Sequence, residues 1–388
     1  MPENHHRPIP IEITAAVVHE RGGPFHVERV ELAGPEAGEV LVRVAASGIC
    51  QTDVHGRDGY FPIQYPAVYG HEGAGIVERT GPGVEKVKPG DCVIMAFPSC
   101  GTCVYCTNGK PAYCLEAFRL KQFGTRADGS TVMTLNGAPV FSCFFQQSSF
   151  ATFALTTERN VVKVPEDVPL DLLAAFPCGI NTGAGAVLNV LRPQAGEAFA
   201  VFGTGTVGLA GLMAARIAGC EPIIAVDLHP NRLALARSLG AAHTIDATRS
   251  DPVAEIRNLT GGLGVRASLE AAGSPQALRQ ALDCLQPLGT CCLVGSSRKG
   301  TEARVDMNHL QHGCTVRGCI QGDSVPEQFI PQLIDLYRAG KLPVERLVTF
   351  YDFADINQAV ADSVTGKTIK PVLRMRPWTE QGKARTER

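Results

Sequence analysis

Phe199-Ala200-Val201-Phe202 runs directly into Gly203-Thr204-Gly205-Thr206-Val207-Gly208, four apolar residues followed by G-x-G-x-x-G. Alone, the glycine pattern is common by chance. Here it follows a run that reads as a buried strand, and Val207 to Ala218 reads as a helix with apolar residues all round. In that setting Gly203 permits a tight turn, Gly205 lets a pyrophosphate approach the backbone, and Gly208 lets helix and strand pack closely. Thr206 and Val207 stand where the first helical turn offers unpaired N–H groups to phosphate. Asp227 ends the next apolar run, 24 residues after Gly203. A carboxylate there accepts hydrogen bonds from the adenosine ribose and repels a 2′-phosphate, which favours NAD over NADP. His229 and Arg232 nearby are cations that weigh the other way.

Outward from this motif the texture is of strands alternating with helices. Pro222 to Val226, His243 to Ile245, Ala267 to Glu270, Thr290 to Val294 and Thr315 to Ile320 read as further strands. Pro230 to Leu239 reads as a helix with Pro in its first turn, and Ser274-Pro275 as an N-cap and N1 pair. Six strands with intervening helices predict an α/β doubly wound parallel sheet. The first third is β-rich instead, with Ile13 to Val18, Glu39 to Ala46, Gly75 to Glu78 and Asp91 to Ala96 as strands. Residues 115 to 150 have weak periodicity and read as a long lobe. Helices near Pro326 to Ala339 and Phe353 to Val364 precede a closing strand, Thr368 to Leu373. The resulting division is 1–180 and 322–388 as one domain, with 181–321 inserted.

At 388 residues the chain is long enough for two ordinary domains. Its net charge of −2 gives no footprint for nucleic acid or an anionic membrane. No run reaches the roughly 20 apolar residues of a membrane span. Met1 to Pro10 is polar, so no secretory signal is expected, and the polar tail from Trp378 is expected to fray. A cytoplasmic, reducing setting follows, in which cysteines serve as ligands or core residues rather than cross-links.

Of fourteen cysteines, Cys100, Cys103, Cys106 and Cys114 form C-x2-C-x2-C-x7-C. Four thiolates this close can complete a tetrahedral Zn²⁺ site, and a site with four protein ligands is structural because no position stays open. A zinc-knuckle binding module would want interleaved basic residues. Between Ser99 and Leu115 there is only Lys110, which disfavours that reading. The chemistry must lie elsewhere.

Cys50-Gln51-Thr52-Asp53-Val54-His55, Gly70-His71-Glu72 and Pro177-Cys178 are too far apart for spacing to join them. Resemblance joins them. Gly70, His71, Glu72, Gly75, Gly81 and Val84 meet the G-H-E-x2-G-x5-G-x2-V signature of the zinc-dependent medium-chain alcohol dehydrogenases. The four-cysteine lobe, the glycine-rich turn and the ribose Asp follow in that family's order. Phe353, Ile356, Asn357, Gln358, Ala359, Gly366, Lys367, Ile369, Lys370, Pro371, Val372 and Leu373 echo the C-terminal run of its bacterial aryl- and benzyl-alcohol members.

The resemblance implies a GroES-like, partly β-barrel catalytic domain built from both chain ends, with a structural-zinc lobe at 97–115, and a Rossmann coenzyme domain between them. It implies Cys50, His71 and Cys178 as catalytic zinc ligands, Asp53 as acceptor from the His71 ring, and Glu72 behind the metal, where it can exchange as a ligand. An alcohol's proton would leave through Thr52, the nicotinamide ribose and His55. Thr182 would contact the nicotinamide, and Val294 and Lys370 the coenzyme, Lys370 at the pyrophosphate. Gln51 replaces a cation frequent there, implying weaker NADH retention. Phe61, Phe97, Phe144 and Phe145 match pocket positions and suggest a flat apolar cleft for benzyl or cinnamyl alcohols. The implied reaction is reversible oxidation of a primary alcohol to its aldehyde, with two zinc ions and NAD, in a homodimer or homotetramer, the long 115–150 segment favouring the dimer. Glutathione-dependent formaldehyde dehydrogenases are the in-family alternative. They place charged groups at the pocket mouth, where Phe61 is apolar although Arg119 is near.

Overall fold

The computed structural model describes residues 9–375. The expectation for Met1 to Pro10 therefore falls almost wholly, and that for the tail from Trp378 wholly, outside the described residues. Two compact units are present: one runs to Cys178 and resumes at Val348, the other spans Gly179–Leu347.

The inserted unit holds a six-stranded, all-parallel sheet. Its strands lie in the order His243–Asp246, Ile223–Asp227, Phe199–Phe202, Val265–Glu270, Leu285–Leu293, Thr315–Gly318. Chain order thus reverses between the strand that ends at Phe202 and the one that ends at Glu270, which is where such sheets bind ligands. Phe199–Phe202 is buried along its whole length, as a central strand covered on both faces must be. Helix Thr206–Ile217 follows it. The Ser274 hydroxyl accepts from the Ala277 amide at 3.3 Å and caps helix Pro275–Asp283. Helix Pro252–Leu259, absent from the sequence reading, uses the same device with Asp251. Pro326–Arg338 also belongs here: the chain leaves this unit at Leu347, not at residue 321, because the helix packs against Asn181–Gly185.

The other unit has two sheets. One orders Val161–Lys163, Cys92–Met95, Gly73–Thr80, Glu39–Gly48, Lys370–Arg374 and Val348–Asp352, with Phe153–Thr157 also on Glu39–Gly48. The chain's last described strand thus pairs with an early one, Val372 opposite Gly48. The second sheet orders Ala67–Val68, Ile11–Val18, His26–Leu32, Met133–Leu135 and Ala138–Val140. The 115–150 segment is more ordered than its periodicity suggested. It holds helix Ala117–Gln122 and a hairpin whose Asn136-Gly137 turn has positive φ at both residues. Its Phe144 and Phe145 join the apolar core shared by the two sheets.

Candidate active site

Strands Glu39–Gly48 and Gly73–Thr80 are antiparallel, with Ser47 opposite Gly73. Residues just beyond that end, Cys50 on one side and His71-Glu72 on the other, are therefore brought together although twenty residues separate them in sequence. Cys50 is the N-cap of helix Gln51–Arg57. Cys178 arrives on the turn Phe176–Ile180.

The ligand atoms of Cys50, His71, Glu72 and Cys178 all lie within 4.8 Å of one another. The Cys50 and Cys178 sulfurs are 3.9 Å apart. That is far from the ~2.05 Å of a disulfide. It is close to the edge of about 3.8 Å that two Zn–S bonds of ~2.3 Å span in a tetrahedron. His71 Nδ1 lies 2.7 Å from Asp53 Oδ1, and its Nε2 is buried with no hydrogen-bond partner among the described residues. A buried ring nitrogen left unsatisfied is costly unless a ligand completes it. Two thiols and an orphaned imidazole nitrogen are a donor set suited to Zn²⁺ that leaves one position open. The neighbouring Cys178 holds the Cys50 thiol well below its usual value, against the effect of burial. Burial opposes charge on His71, but the Asp53 carboxylate outweighs it and pushes the ring up to about 10. Asp53 further accepts from the amides of Cys50, at 2.9 Å, and Gly70, at 3.1 Å, so one carboxylate ties both ligand segments.

Lys370, expected at the coenzyme pyrophosphate, opens strand Lys370–Arg374. Its ammonium is 2% exposed, pairs with Glu72 and donates to the Ile49 carbonyl at 3.1 Å. It is held inward because it opens the strand beside Gly48, with the Ile49 amide bonded to Pro371. Burial pushes the Glu72 carboxyl up to about 7, and Lys370 works against that.

The Thr52 hydroxyl sits 3.7 Å from the Cys50 sulfur. His55, one turn on, is half-buried and stacks on Tyr60 at 4.5 Å. Gln51 is exposed at the helix start. The Phe145 ring lies 4.5 Å from that of His71, and Phe97 is also buried. Phe144 is wholly buried, wedged edge-on to Tyr69, His71 and Phe145, so it shapes the site from behind. Phe61 packs against Phe144 at 6.1 Å.

Cys100, Cys103, Cys106 and Cys114 form a second cluster of the same compactness. The Cys100 and Cys106 sulfurs are 4.0 Å apart, and backbone amides of Cys100, Cys103 and Leu115 point at sulfurs of the set. All fourteen cysteines are free of disulfides.

In the inserted unit, Gly203 has φ +89, and a Cβ there would sit 2.8 Å from the Ala272 amide nitrogen. A Cβ on Gly208 would collide with the Gly203 carbonyl oxygen, whereas one on Gly205 would meet nothing within 4 Å. The open space over Gly205, at the start of helix Thr206–Ile217, is what a pyrophosphate requires. Asp227 does more than the sequence indicated. One of its oxygens accepts from the Thr204 amide at 2.6 Å and hydroxyl at 2.7 Å, the other from Leu228 and His229 amides, so it also braces the turn. Arg232 lies in the first turn of the following helix, Pro230–Leu239, Val294 just past strand Leu285–Leu293, and Thr182 on Asn181–Gly185.

The alcohol dehydrogenase GroES-like domain family matches residues 36–166, and the zinc-binding dehydrogenase family residues 206–339. Geraniol dehydrogenase of Castellaniella defragrans is 43% identical, covering 94% of this chain and 98% of its own. The chain belongs to the zinc-dependent alcohol dehydrogenases. Among solved structures, an alcohol dehydrogenase zinc-binding domain protein from Burkholderia ambifaria shares 49% identity at TM-score 0.92, covering 94% of this chain and 99% of its own. Benzyl alcohol dehydrogenase from Acinetobacter calcoaceticus shares 43% at TM-score 0.91, with the same coverage. The cofactors of this alcohol dehydrogenase are zinc and NAD.

Two residues of this alcohol dehydrogenase escaped the sequence reading. The Gln147 amide donates to the His71 carbonyl at 3.1 Å and accepts from Gly73, pinning the ligand segment. Lys121 is 8% exposed, with its ammonium 5.4 Å from the Phe97 ring and 5.6 Å from the Phe145 ring. Arg119, the cation weighed from sequence, instead pairs with Glu116 at 3.0 Å. Residues two apart on a helix point to opposite sides, so the pattern alone could not say which faced inward.

Proposed function

We propose that the substrate is a primary aromatic or allylic alcohol, oxidised reversibly to its aldehyde with NAD as hydride acceptor. The observation that carries this is the Phe145 ring against His71, beside the Cys50–Cys178 pair. It offers a flat apolar wall next to the open metal position. The names of the relatives, a geraniol and a benzyl alcohol dehydrogenase, accord with it.

In this reading Cys50, His71 and Cys178 hold the catalytic zinc, which when bound acts as a Lewis acid that acidifies an alcohol. Asp53 fixes the His71 tautomer so that Nε2 faces the metal. Thr52 Oγ1 would take the alcohol's proton as it passes its own to the nicotinamide ribose hydroxyl, from which His55 would accept it as a general base and carry it outward. Phe97 and Phe145 exclude water and orient the substrate's plane. Cys100, Cys103, Cys106 and Cys114 hold a structural zinc.

The test is turnover of benzyl alcohol, cinnamyl alcohol, geraniol and ethanol with NAD and with NADP, followed by absorbance of the reduced coenzyme. Benzyl, cinnamyl or geranyl alcohol with NAD should give the highest kcat/KM; a preference for ethanol overturns the reading. No turnover is expected with the formaldehyde–glutathione adduct.

A homodimer is part of the proposal. Strand Thr315–Gly318 ends its sheet and is exposed throughout, with Leu288, Met307, Val316 and Ile320 exposed nearby. An open strand edge with apolar neighbours is suited to pairing with a second copy. Sedimentation should give the mass of a dimer and, for Val316→Lys, of a monomer. A cytoplasmic location fits fourteen free thiols, and no helix among the described residues is long and apolar enough to cross a membrane.

A further inference from the structure

Among the described residues of its unit, Lys121 is a buried cation that the proposed chemistry leaves unused and that no carboxylate neutralises. It lies on helix Ala117–Gln122, 8% exposed, with no hydrogen bond or carboxylate on its ammonium among the described residues. Its surroundings are two ring faces, Phe97 at 5.4 Å and Phe145 at 5.6 Å, with the Cys178 and Cys114 thiols near enough to favour its charge. Ring faces attract a cation, but they return far less than its loss of water costs. Packing alone would be served better by Met or Leu. Lys370, the other deeply buried ammonium, has both a carboxylate and a carbonyl. Phe145 bridges the gap: one side of the ring faces Lys121, and it lies 4.5 Å from His71. A flat substrate reaching from the metal position along Phe145 would bring its far end to the ammonium.

We infer that Lys121 is a specificity-determining residue that receives a carboxylate carried on the ring of an aromatic alcohol, opposite the carbinol. This rests on the aromatic reading above. The anion would supply the missing partner, and the two phenylalanines would exclude water from the pair, where charge pairing is strong. A neutral benzyl alcohol would leave the ammonium unpaired and be the poorer substrate.

The experiment compares 4-(hydroxymethyl)benzoate with 4-methylbenzyl alcohol, a neutral analogue of similar shape, on the zinc-loaded enzyme, its Lys121→Met and its Lys121→Arg variants. Melting temperature and zinc content check each variant's fold, with Lys121→Gln as substitute if Lys121→Met is unstable. The wild type should favour the carboxylate, and Lys121→Met should lower that preference by about 30-fold or more, as expected for truncating one partner of a buried charge pair. Lys121→Arg should retain most of the preference. A structural role would move both substrates together and leave the ratio unchanged, and that overturns the inference, as does a wild type that favours the methyl compound. If no aromatic alcohol is turned over, the aromatic reading itself fails, and calorimetric titration of benzoate decides about Lys121. Binding lost in Lys121→Met upholds its anion role; binding absent or unchanged overturns it.

Discussion

His71 Nδ1 and Asp53 Oδ1 are 2.7 Å apart, and both side chains are almost wholly buried. The bond sets which ring nitrogen carries the proton and leaves Nε2 facing the two thiols. Because Asp53 also accepts from Cys50 and Gly70, it holds two ligand segments with one carboxylate. Asp53→Asn keeps the shape but weakens the acceptor and removes the charge. Zinc affinity at this site should fall by 10–100-fold, on the order seen for outer partners of ligating histidines. Competition with a chelator measures it, and an unchanged affinity would show that Asp53 does not tune the ligand.

The two thiol clusters should separate by what their loss does. Two candidate metal groups are present, so Cys106→Ser should reduce bound zinc from two to one per chain. Its melting temperature should drop, because a site held within residues 100–114 braces that loop. Turnover per folded chain should change far less than for Cys50→Ser, which should abolish it. Equal loss of turnover in both variants would contradict the division into structural and catalytic sites.

Much of this was legible because some motifs carry their own geometry. The strand, three glycines and an acid before Pro230 are local, and so is C-x2-C-x2-C-x7-C. The set of Cys50, His71 and Cys178 is not. It depends on the pairing of Ser47 with Gly73, a long-range register that no spacing encodes, and only family resemblance supplied it. Lys370 read as a coenzyme cation because its position in the chain is that of one. Its inward turn follows from the strand that it opens and from a buried Glu72 needing a partner. Lys121 had no signal, since it lies in a short helix of mixed polarity whose inward face is set by Phe97 and Phe145. The domain boundary at Leu347 depended on what helix Pro326–Arg338 packs against.

Gly205 and Gly208 make opposite predictions although three residues apart. Gly208→Ala drives a methyl group into the Gly203 carbonyl, so the helix must move from its strand. It should lower stability by about 1–3 kcal/mol, the usual cost of overpacking. Gly205→Ala meets open space and has negative φ, so the fold should melt as the wild type does. The added methyl would occupy the approach of the pyrophosphate, and the dissociation constant for NADH should rise about tenfold or more, a steric loss of at least ~1.4 kcal/mol. Thermal melting and NADH fluorescence titration read the two effects. Weakened NADH binding without lost stability in Gly208→Ala would reverse these roles.

The buried pair of Glu72 and Lys370 allows a test that separates net stability from the cost of breaking a pair. Both side chains are within 2% of full burial, and among the described residues the other hydrogen-bond partner of the Lys370 ammonium is the Ile49 carbonyl. Lys370→Met leaves the Glu72 carboxyl buried beside the Cys50 thiol, in a place where burial already raises it. Removing one member of such a pair costs about 3–5 kcal/mol, whereas replacing both with groups of similar volume is often nearly neutral. Lys370→Met alone should therefore destabilise strongly, and Glu72→Gln/Lys370→Met should recover most of the loss. Urea unfolding of the four proteins in the cycle gives the coupling. A coupling near zero would mean that the two side chains act independently and that Lys370 is free to turn outward to a coenzyme phosphate, as its sequence position suggested.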